Sequence, residues 1–401
     1  MNNKIKLAVA GAVLSAASVA NAGIVIPAGD WTLDVNGNVN IFATMTKADD
    51  TATVTGGIAT VKDSAGEDTK FSMGTGLLPA WLGFTGTTRQ NDLDVSFTIS
   101  IQPNTSDNSA TGDATAYTSG AGIPSAQLLT RQAFITFGDA SWGSVKMGKD
   151  LGIFASDAIV NDITLLGVGA APTGGITTLG GIGNGYLYAG FRGQIAYTTP
   201  NMNGLQVTLG ITNPDQGQNT AGAANYDDRF GLEGKAVYTM GAGKVWAGFS
   251  NYEVASTVGD YEAVAGEVGA QFNAGNLQLT AYYYSGEGNG DGNGLNRLAE
   301  KATTAGNNRE NDGGYLQATY VIPSGTKLGV AVATSQQDLA SGETAGGTAA
   351  HDSNDRWTVG AYHPLTKHLN LVAEYNDIES DDHAGNSAES QHINLGAILF
   401  F

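Results

Sequence analysis

Residues 31–45 read WTLDVNGNVNIFATM, and nearly every second residue of this stretch is apolar. Leu33, Val39 and Ile41 belong to the apolar odd-numbered positions, whereas Asp34 and Asn40 belong to the mostly polar even-numbered positions. A period of two residues is typical of a β-strand with one apolar and one polar face. In a water-soluble sheet the apolar face would be a core, but in a membrane barrel it contacts lipid while the polar face lines the lumen. The stretch therefore predicts a strand and leaves two folds open.

The same alternation recurs in fifteen further stretches, so the sequence predicts sixteen strands. They begin near residues 81, 93, 133, 145, 195, 205, 230, 245, 264, 277, 316, 328, 357, 369 and 393. Strands that cross a membrane at a tilt need roughly ten residues each, and most of these stretches have about that length.

The connections between the predicted strands decide between the two folds, because they alternate in length. Short connections lie near Arg89, Asp139, Pro200, Gly241, Gly275, Pro323 and Pro364. Long connections cover 47–79, 102–129, 150–191, 213–227, 285–312, 336–354 and 379–390, and the shortest of this set covers 252–260. Short connections at one end of the barrel and long connections at the other end are typical of outer-membrane barrels. The sequence thus predicts an all-β, transmembrane, antiparallel up-and-down barrel of sixteen strands with short periplasmic turns and long outer loops.

The amino terminus and the composition agree with export. Lys4 and Lys6 precede the apolar run 7–19 and the small residues 20–22, which is the pattern of a secretory signal peptide. We therefore divide the chain into a signal peptide at 1–22 and a barrel at 23–401. The chain has no cysteine and a formal net charge of −19, which argues against nucleic acid as a partner.

The connection 150–191 differs from the other long connections because it carries almost no charge. Asp150, Asp157 and Asp162 are its only charged residues, and Arg192 follows it. Long loops on a protein surface are normally polar, so an apolar one is unusual. Sixteen tilted strands would close a cylinder roughly 30 Å across, which is too wide to sort small solutes. We therefore expect this third outer loop to fold into the lumen and narrow it.

Other motifs give weaker indications. Gly143–Lys149 fits a phosphate-binding loop, but Asp150 stands where the metal-binding Ser or Thr belongs, and the segment reads as a strand. The five histidines have no metal-ligand spacing and no nearby nucleophile, so we predict no enzyme. The run 286–293 is rich in Gly and carboxylate or amide oxygens, and it reads either as a Ca²⁺ site or as a simple flexible loop. No other cofactor is predicted.

At this point the mature chain resembles the general porins of Gram-negative outer membranes. The resemblance rests on Arg131–Ile135, Gly143–Lys149, Gly193–Pro200 and the terminal Phe401. It implies a homotrimer of sixteen-stranded pores in the outer membrane, in contact with lipid and lipopolysaccharide. It also implies that Phe401 belongs to the signal read by the barrel-assembly machinery.

The resemblance also suggests the residues of the pore constriction. It places Asp157 and Asp162 in the acidic part of the loop, and Lys149 and Arg192 among the basic residues of the wall. Trp81 stands at a third position where the family has a basic residue. The family's acidic motif at the loop tip is replaced here by the apolar residues 165–169. The constriction is therefore expected to be less charged and more apolar than is typical.

The alternation of faces along the predicted strand adds Lys146 to the candidate wall residues, because it falls on the lumen-facing side. The function indicated is a water-filled channel for passive diffusion of small hydrophilic solutes and ions, mildly selective for cations because acidic residues outnumber basic ones. Two alternatives remain open: a channel with a dedicated solute site, and a structural or adhesive barrel without an open pore.

Overall fold

The computed structural model describes residues 23–103, 128–170, 177–213, 229–254, 261–290, 307–345 and 351–401, so the predicted signal peptide at 1–22 lies outside the described residues. Within these ranges the chain is almost entirely antiparallel β-sheet. The strands are β1 Ile24–Ala28, β2 Trp31–Ala48, β3 Thr69–Gly74, β4 Trp81–Gln90, β5 Leu93–Pro103, β6 Leu128–Asp139, β7 Gly143–Leu151, β8 Phe191–Thr198, β9 Leu205–Thr212, β10 Gly231–Met240, β11 Gly243–Val254, β12 Tyr261–Ala274, β13 Leu277–Glu287, β14 Glu310–Val321, β15 Lys327–Gln337, β16 His351–Pro364, β17 Leu369–Asp382 and β18 Ser387–Phe400.

Sixteen of the described strands form a closed barrel, which confirms the predicted fold class. β2 pairs with β4, each later strand pairs with the next from β4 onward, and β18 returns to pair with β2. The seam is completed at the carboxyl terminus, where the Phe401 N–H donates to the Gly37 carbonyl (3.0 Å) and the Gly37 N–H donates to the Phe401 carbonyl (2.9 Å). A closed barrel leaves no unpaired strand edge.

The two faces of the wall differ as the alternation predicts. Along β14, Leu316 is 61% exposed and Tyr320 48%, whereas Tyr315 and Gln317 on the opposite face are 2% and 7% exposed. Large apolar side chains on other strands are exposed in the same way, among them Val39, Ile135, Val268, Val330, Trp357 and Leu395. Exposed apolar side chains on one face and buried, mostly polar side chains on the other are typical of a barrel with a lipid-contacting exterior.

Two strands and one loop length differ from the sequence prediction. The short strands β1 and β3 both pair with β2, and β3 lies inside the span 47–79 that was predicted as a loop. The span 379–390, predicted as a long loop, is a tight hairpin instead, in which the Asp382 N–H donates to the Asn386 carbonyl (2.9 Å). Both strands of this hairpin continue past the apolar band, where polar residues on both faces carry no alternation.

A short link at residues 75–80 interrupts the wall between β3 and β4, and both strands pair with β2 on either side of the break. Two asparagines of β2 hold this link, because the Asn40 side-chain amide donates to the Leu78 carbonyl (2.9 Å) and that of Asn38 donates to the Pro79 carbonyl (2.9 Å). Leu77 and Leu78 are 5% and 4% exposed. The link therefore presents apolar side chains on the same buried side as the polar face of β2.

The described part of the chain has two short helices, α1 Ser156–Asn161 and a 3-10 helix Ile163–Leu166. Both lie in the β7–β8 loop, residues 152–190. Neither they nor any other described helix has the length and apolar character needed to cross a membrane.

Candidate functional site

The β7–β8 loop is buried along most of its described length, and its polar contacts are with the buried face of the barrel strands. Its two ends are joined where the Gly152 N–H donates to the Gly190 carbonyl (2.8 Å). Ala155, with φ 59°, turns the chain into α1. Phe154, Ala155 and Ala158 are all 0% exposed. A loop that is apolar in sequence is thus kept from water by packing against the wall.

Asp157, in the first turn of α1, contacts two lysines of the wall. The Lys235 ammonium on β10 lies 2.7 Å from one carboxylate oxygen, and the Lys244 ammonium on β11 lies 3.0 Å from the other. Burial alone would raise the pKa of Asp157, but the two positive charges more than offset it and lower the pKa to about 2. The carboxylate is therefore ionised and bridges two neighbouring strands.

Asp162, between the two helices, makes the most deeply buried ion pair of the described residues. The Arg356 guanidinium on β16 lies 3.4 Å from its carboxylate, and both side chains are only 1% exposed. The same carboxylate accepts the Thr164 N–H (3.0 Å) and the Tyr186 hydroxyl (2.8 Å). These contacts join the helical part of the loop to its returning part and to the wall.

Two wall carboxylates hold the loop backbone. Glu233 on β10 accepts the N–H groups of Ile153 (2.5 Å) and Phe154 (3.2 Å). Glu374 on β17 accepts those of Val168 (2.9 Å) and Gly169 (3.0 Å). Each carboxyl group accepts two consecutive backbone N–H groups, so these contacts fix both halves of the loop.

Arg192 and Lys146 both lie on the buried face of the wall, but neither contacts Asp157 or Asp162. The Arg192 guanidinium lies 3.6 Å from Glu233 and donates to the Ala189 carbonyl (2.7 Å). Lys146 pairs with Asp150 on its own strand at 2.5 Å. The pairing of Arg192 with the loop's acidic residues, as expected from the resemblance, is not observed.

The placement of Lys149 in the constriction wall is wrong. Its side chain is exposed on the outer face, and its ammonium donates to the Thr130 carbonyl (3.0 Å). Lys149 lies on the same face of the strand as Met147, which is 36% exposed, and on the opposite face from Lys146. Successive strand residues point to opposite faces, so Lys149 cannot contact the loop from this position.

Trp81 lies on the buried face opposite Asn38 and is 6% exposed. Its indole N–H donates to the Asn36 carbonyl (3.3 Å), so it supports the wall beside the β3–β4 link.

Lys235, Lys244, Arg356, Glu233 and Glu374 were not singled out as site residues from the sequence. Each is a charged residue on the polar face of an alternating strand. Charge at a lumen-facing position is therefore the signal that would have found them.

The part of the β7–β8 loop around Val160 and Leu165 separates two cavities. One, of about 230 Å³, is mainly polar and lined by Lys244, Gln271, Gln278, Gln317 and Lys327. The other, of about 40 Å³, is mainly apolar and lined by Leu77, Leu78, Leu151, Tyr188, Phe191 and Arg131. Val160 and Leu165 line both cavities.

No group of three or more His, Asp or Glu side chains within the described ranges is arranged to hold a metal ion. The run 286–293, considered for Ca²⁺, lies partly outside those ranges, which end at residue 290 and resume at 307.

Several solved structures share this fold. The DcaP outer-membrane channel of Acinetobacter baumannii has a TM-score of 0.67 and 16% identity, with 95% of this chain and 100% of that chain covered. An anion-selective porin from Comamonas acidovorans has a TM-score of 0.65 and 16% identity, covering 92% and 100%. OmpF of Salmonella typhi in complex with daunomycin has a TM-score of 0.60 and 16% identity, covering 94% and 100%.

At such identities these similarities establish the fold alone. Among curated protein sequences, none matches this chain significantly. The family model for Gram-negative porins, in contrast, matches residues 7–383, which is nearly the whole chain. With a closed sixteen-stranded barrel and an apolar exterior, this match places the protein in the outer membrane, and the chain belongs to the Gram-negative porin family.

Proposed function

We propose that this porin is a passive channel for small solutes and ions, narrowed by the β7–β8 loop, and that it has no catalytic role. The observation that carries the proposal is the set of contacts between the loop and the buried face of the barrel. Asp157 reaches β10 and β11, Asp162 reaches β16, and the backbone near Val168 reaches β17. A loop held at these strands would cross the lumen, and the cavities beside Val160 and Leu165 offer space for solutes.

The proposed assembly is a homotrimer in contact with outer-membrane lipid and lipopolysaccharide, with Phe401 acting in recognition by the barrel-assembly machinery. A porin-fold relative from Vibrio cholerae, OmpT, has been solved in a trimer form and has a TM-score of 0.54 to this chain. The exposed apolar band supports the lipid contact, and closure of the seam by Phe401 makes this residue part of the finished barrel.

Conductance of the purified protein in a planar bilayer tests the channel. We expect stable openings in concentrated KCl that close in three equal steps. The alternative of a structural or adhesive barrel predicts no current, so an electrically silent but folded protein would reject the channel.

For small inorganic ions we propose a mild preference for cations at low salt. The formal charge of −19 attracts cations to the protein, although salt screens charges in the outer loops. The charged pairs that anchor the loop are close to neutral as a set, so they add little. A reversal potential in a KCl gradient that indicates anion selectivity would contradict this preference.

Asp157→Asn is expected to shift that reversal potential toward anions, because it leaves the charges of Lys235 and Lys244 uncompensated. The shift should be as large at pH 3 as at pH 7. The pKa of Asp157 is about 2, so at pH 3 about nine-tenths of the carboxylate stays ionised. Since this pKa lies below the ordinary value of 3.8, the stability gained from the ion pairs is present above pH 4 and is lost only near pH 2.

The matched control is Glu379→Gln, which removes a carboxylate from an exposed side chain. It should change the reversal potential much less than Asp157→Asn does. If the Asp157→Asn shift disappears between pH 7 and pH 3, the carboxylate titrates normally and the two lysines do not hold it ionised.

A further inference from the structure

The smaller cavity beside the β7–β8 loop combines an apolar lining with one cationic side chain. Leu77 and Leu78 of the β3–β4 link lie on one side, and Val160 and Leu165 of the loop on another. Arg131 is the one charged residue among the described residues that line it. We infer that this cavity is a contact site for solutes that join an apolar body to a single anionic group, such as medium-chain or aromatic carboxylates. The inference rests on the proposed channel function and specifies a solute class for it.

The carboxylates of the loop are turned away from this cavity. Asp157 is held between two lysines, and Asp162 is held by Arg356 at a depth where both side chains are 1% exposed. Neither aspartate lines the apolar cavity. The acidic residues of the loop thus pair with basic wall residues elsewhere, and aliphatic side chains border this cavity on the loop side.

Arg131 reaches the cavity because of an irregularity in its strand. The pairing of β5 with β6 runs from Ser100 opposite Gln132 to Ile101 opposite Thr130, so Arg131 is the extra residue of a β-bulge. Bulges redirect side chains and are common beside functional sites. The Arg131 guanidinium is nearly buried and lies 5.4 Å from the centre of the Phe191 ring.

The guanidinium and the aliphatic wall act on different parts of such a solute. A guanidinium has five N–H donors in a fork that fits a carboxylate, so it can keep a protein contact and still bind a solute oxygen. A fully hydrated ion loses water on entering an apolar constriction, which opposes its passage. An alkyl or phenyl group instead gains free energy there, because its apolar surface leaves water.

Solute blockade of single-channel current tests this inference on the full-length protein in planar bilayers. Acetate, butyrate, hexanoate and octanoate should block with increasing affinity, by roughly two- to fourfold for each added methylene. Benzoate should block at least tenfold better than benzyltrimethylammonium, which offers an aromatic ring of the same size with the opposite charge. Equal blockade by the two aromatic ions, or no dependence on chain length, would overturn the inference.

Variants separate the two contributions. Arg131→Gln should weaken octanoate blockade about tenfold or more while the KCl openings persist, and Arg131→Lys should retain part of the affinity. Lys149→Gln, which removes a cation from the outer face, is the matched control, and octanoate should block it with the same affinity as the unchanged protein. If Arg131→Gln does not fold, the series of carboxylates on the unchanged protein still decides. Loss of all KCl conductance in the unchanged protein would reject the channel itself, whereas normal conductance without selective blockade would reject only this inference.

Discussion

Asp162→Asn is expected to destabilise the closed position of the β7–β8 loop by about 3–5 kcal/mol, because it leaves the buried Arg356 guanidinium without its carboxylate. Both side chains are 1% exposed, so water cannot replace the lost partner without a rearrangement of the loop. The asparagine retains an oxygen for the Thr164 N–H, so the local turn is kept while the charge is removed. The predicted loss is therefore specific to the contact between the loop and β16.

Hydrogen exchange measured on peptides from the loop provides the readout. Local opening that becomes easier by 3 kcal/mol or more corresponds to exchange that is faster by roughly a hundredfold or more. Single-channel current should also become noisier, because the loop samples open positions during the recording. Peptides from distant strands should exchange as before, which distinguishes loop opening from unfolding of the barrel.

Two further variants make the comparison decisive. Asp162→Asn combined with Arg356→Met should recover much of the loss, since replacing both members of a buried pair is often close to neutral. Asp49→Asn removes one partner of the Lys47–Asp49 pair, whose side chains are 52% and 42% exposed at 3.9 Å, and should have little effect. If Asp162→Asn leaves loop exchange unchanged, the Asp162–Arg356 pair does not hold the loop.

The barrel could be predicted from the sequence because each strand has one apolar environment and one polar environment. The two environments require an apolar side chain at every second residue, so the pattern is visible in a stretch as short as 31–45. The ends of strands were predicted less well. Beyond the apolar band both faces are polar, and the alternation disappears although the hydrogen-bonded ladder continues, as it does from β17 into β18.

The two acidic residues of the loop could be identified from the sequence, because charges are rare in that stretch. Their partners could not be assigned, because pairing across the lumen joins residues that are far apart in the chain. Lys235 is 78 residues from Asp157, and Arg356 is 194 residues from Asp162. Only the closure of the barrel and the path of the loop bring these groups together.

Lys149 shows that closeness to the loop in sequence is a poorer guide to a wall residue than the face of the strand on which the residue lies. Its place at the start of the loop suggested a wall cation, yet it shares its face with Met147. The break between β3 and β4 has no clear sequence signal, because its apolar residues resemble a strand end. Its contact with the loop, in which the Leu77 N–H donates to the Gly167 carbonyl (2.9 Å), is a tertiary feature.

Tyr315→Ala is expected to have the second large effect, because this side chain connects the wall to both halves of the loop. Its ring centre lies 5.4 Å from that of Tyr282 on the wall and 6.0 Å from that of Tyr186 in the loop. Its hydroxyl donates to the Ala158 carbonyl of α1 (2.9 Å). Truncating a buried aromatic side chain to alanine costs about 3–5 kcal/mol, and here the lost contacts are those that keep the loop against β13 and β14.

Tyr315→Phe separates the ring from the hydroxyl. It keeps the aromatic contacts and removes one hydrogen bond, so the closed loop should lose only about 1 kcal/mol. Chymotrypsin cleaves after aromatic residues and leucine, and its cleavage of the loop should follow the open population. Compared with the unchanged protein, it should cut the loop of folded Tyr315→Ala more than a hundredfold faster and that of Tyr315→Phe only severalfold faster.

The control is Tyr320→Ala, which removes a 48% exposed ring from the outer face of the same strand and should leave loop cleavage unchanged. Equal cleavage of the Ala and Phe variants would mean that the hydrogen bond, rather than the ring packing, holds the loop. If ring packing holds the loop, the loop can shift slightly while the rings stay in contact. If the Tyr315 hydroxyl holds it, the loss of that one hydrogen bond releases α1.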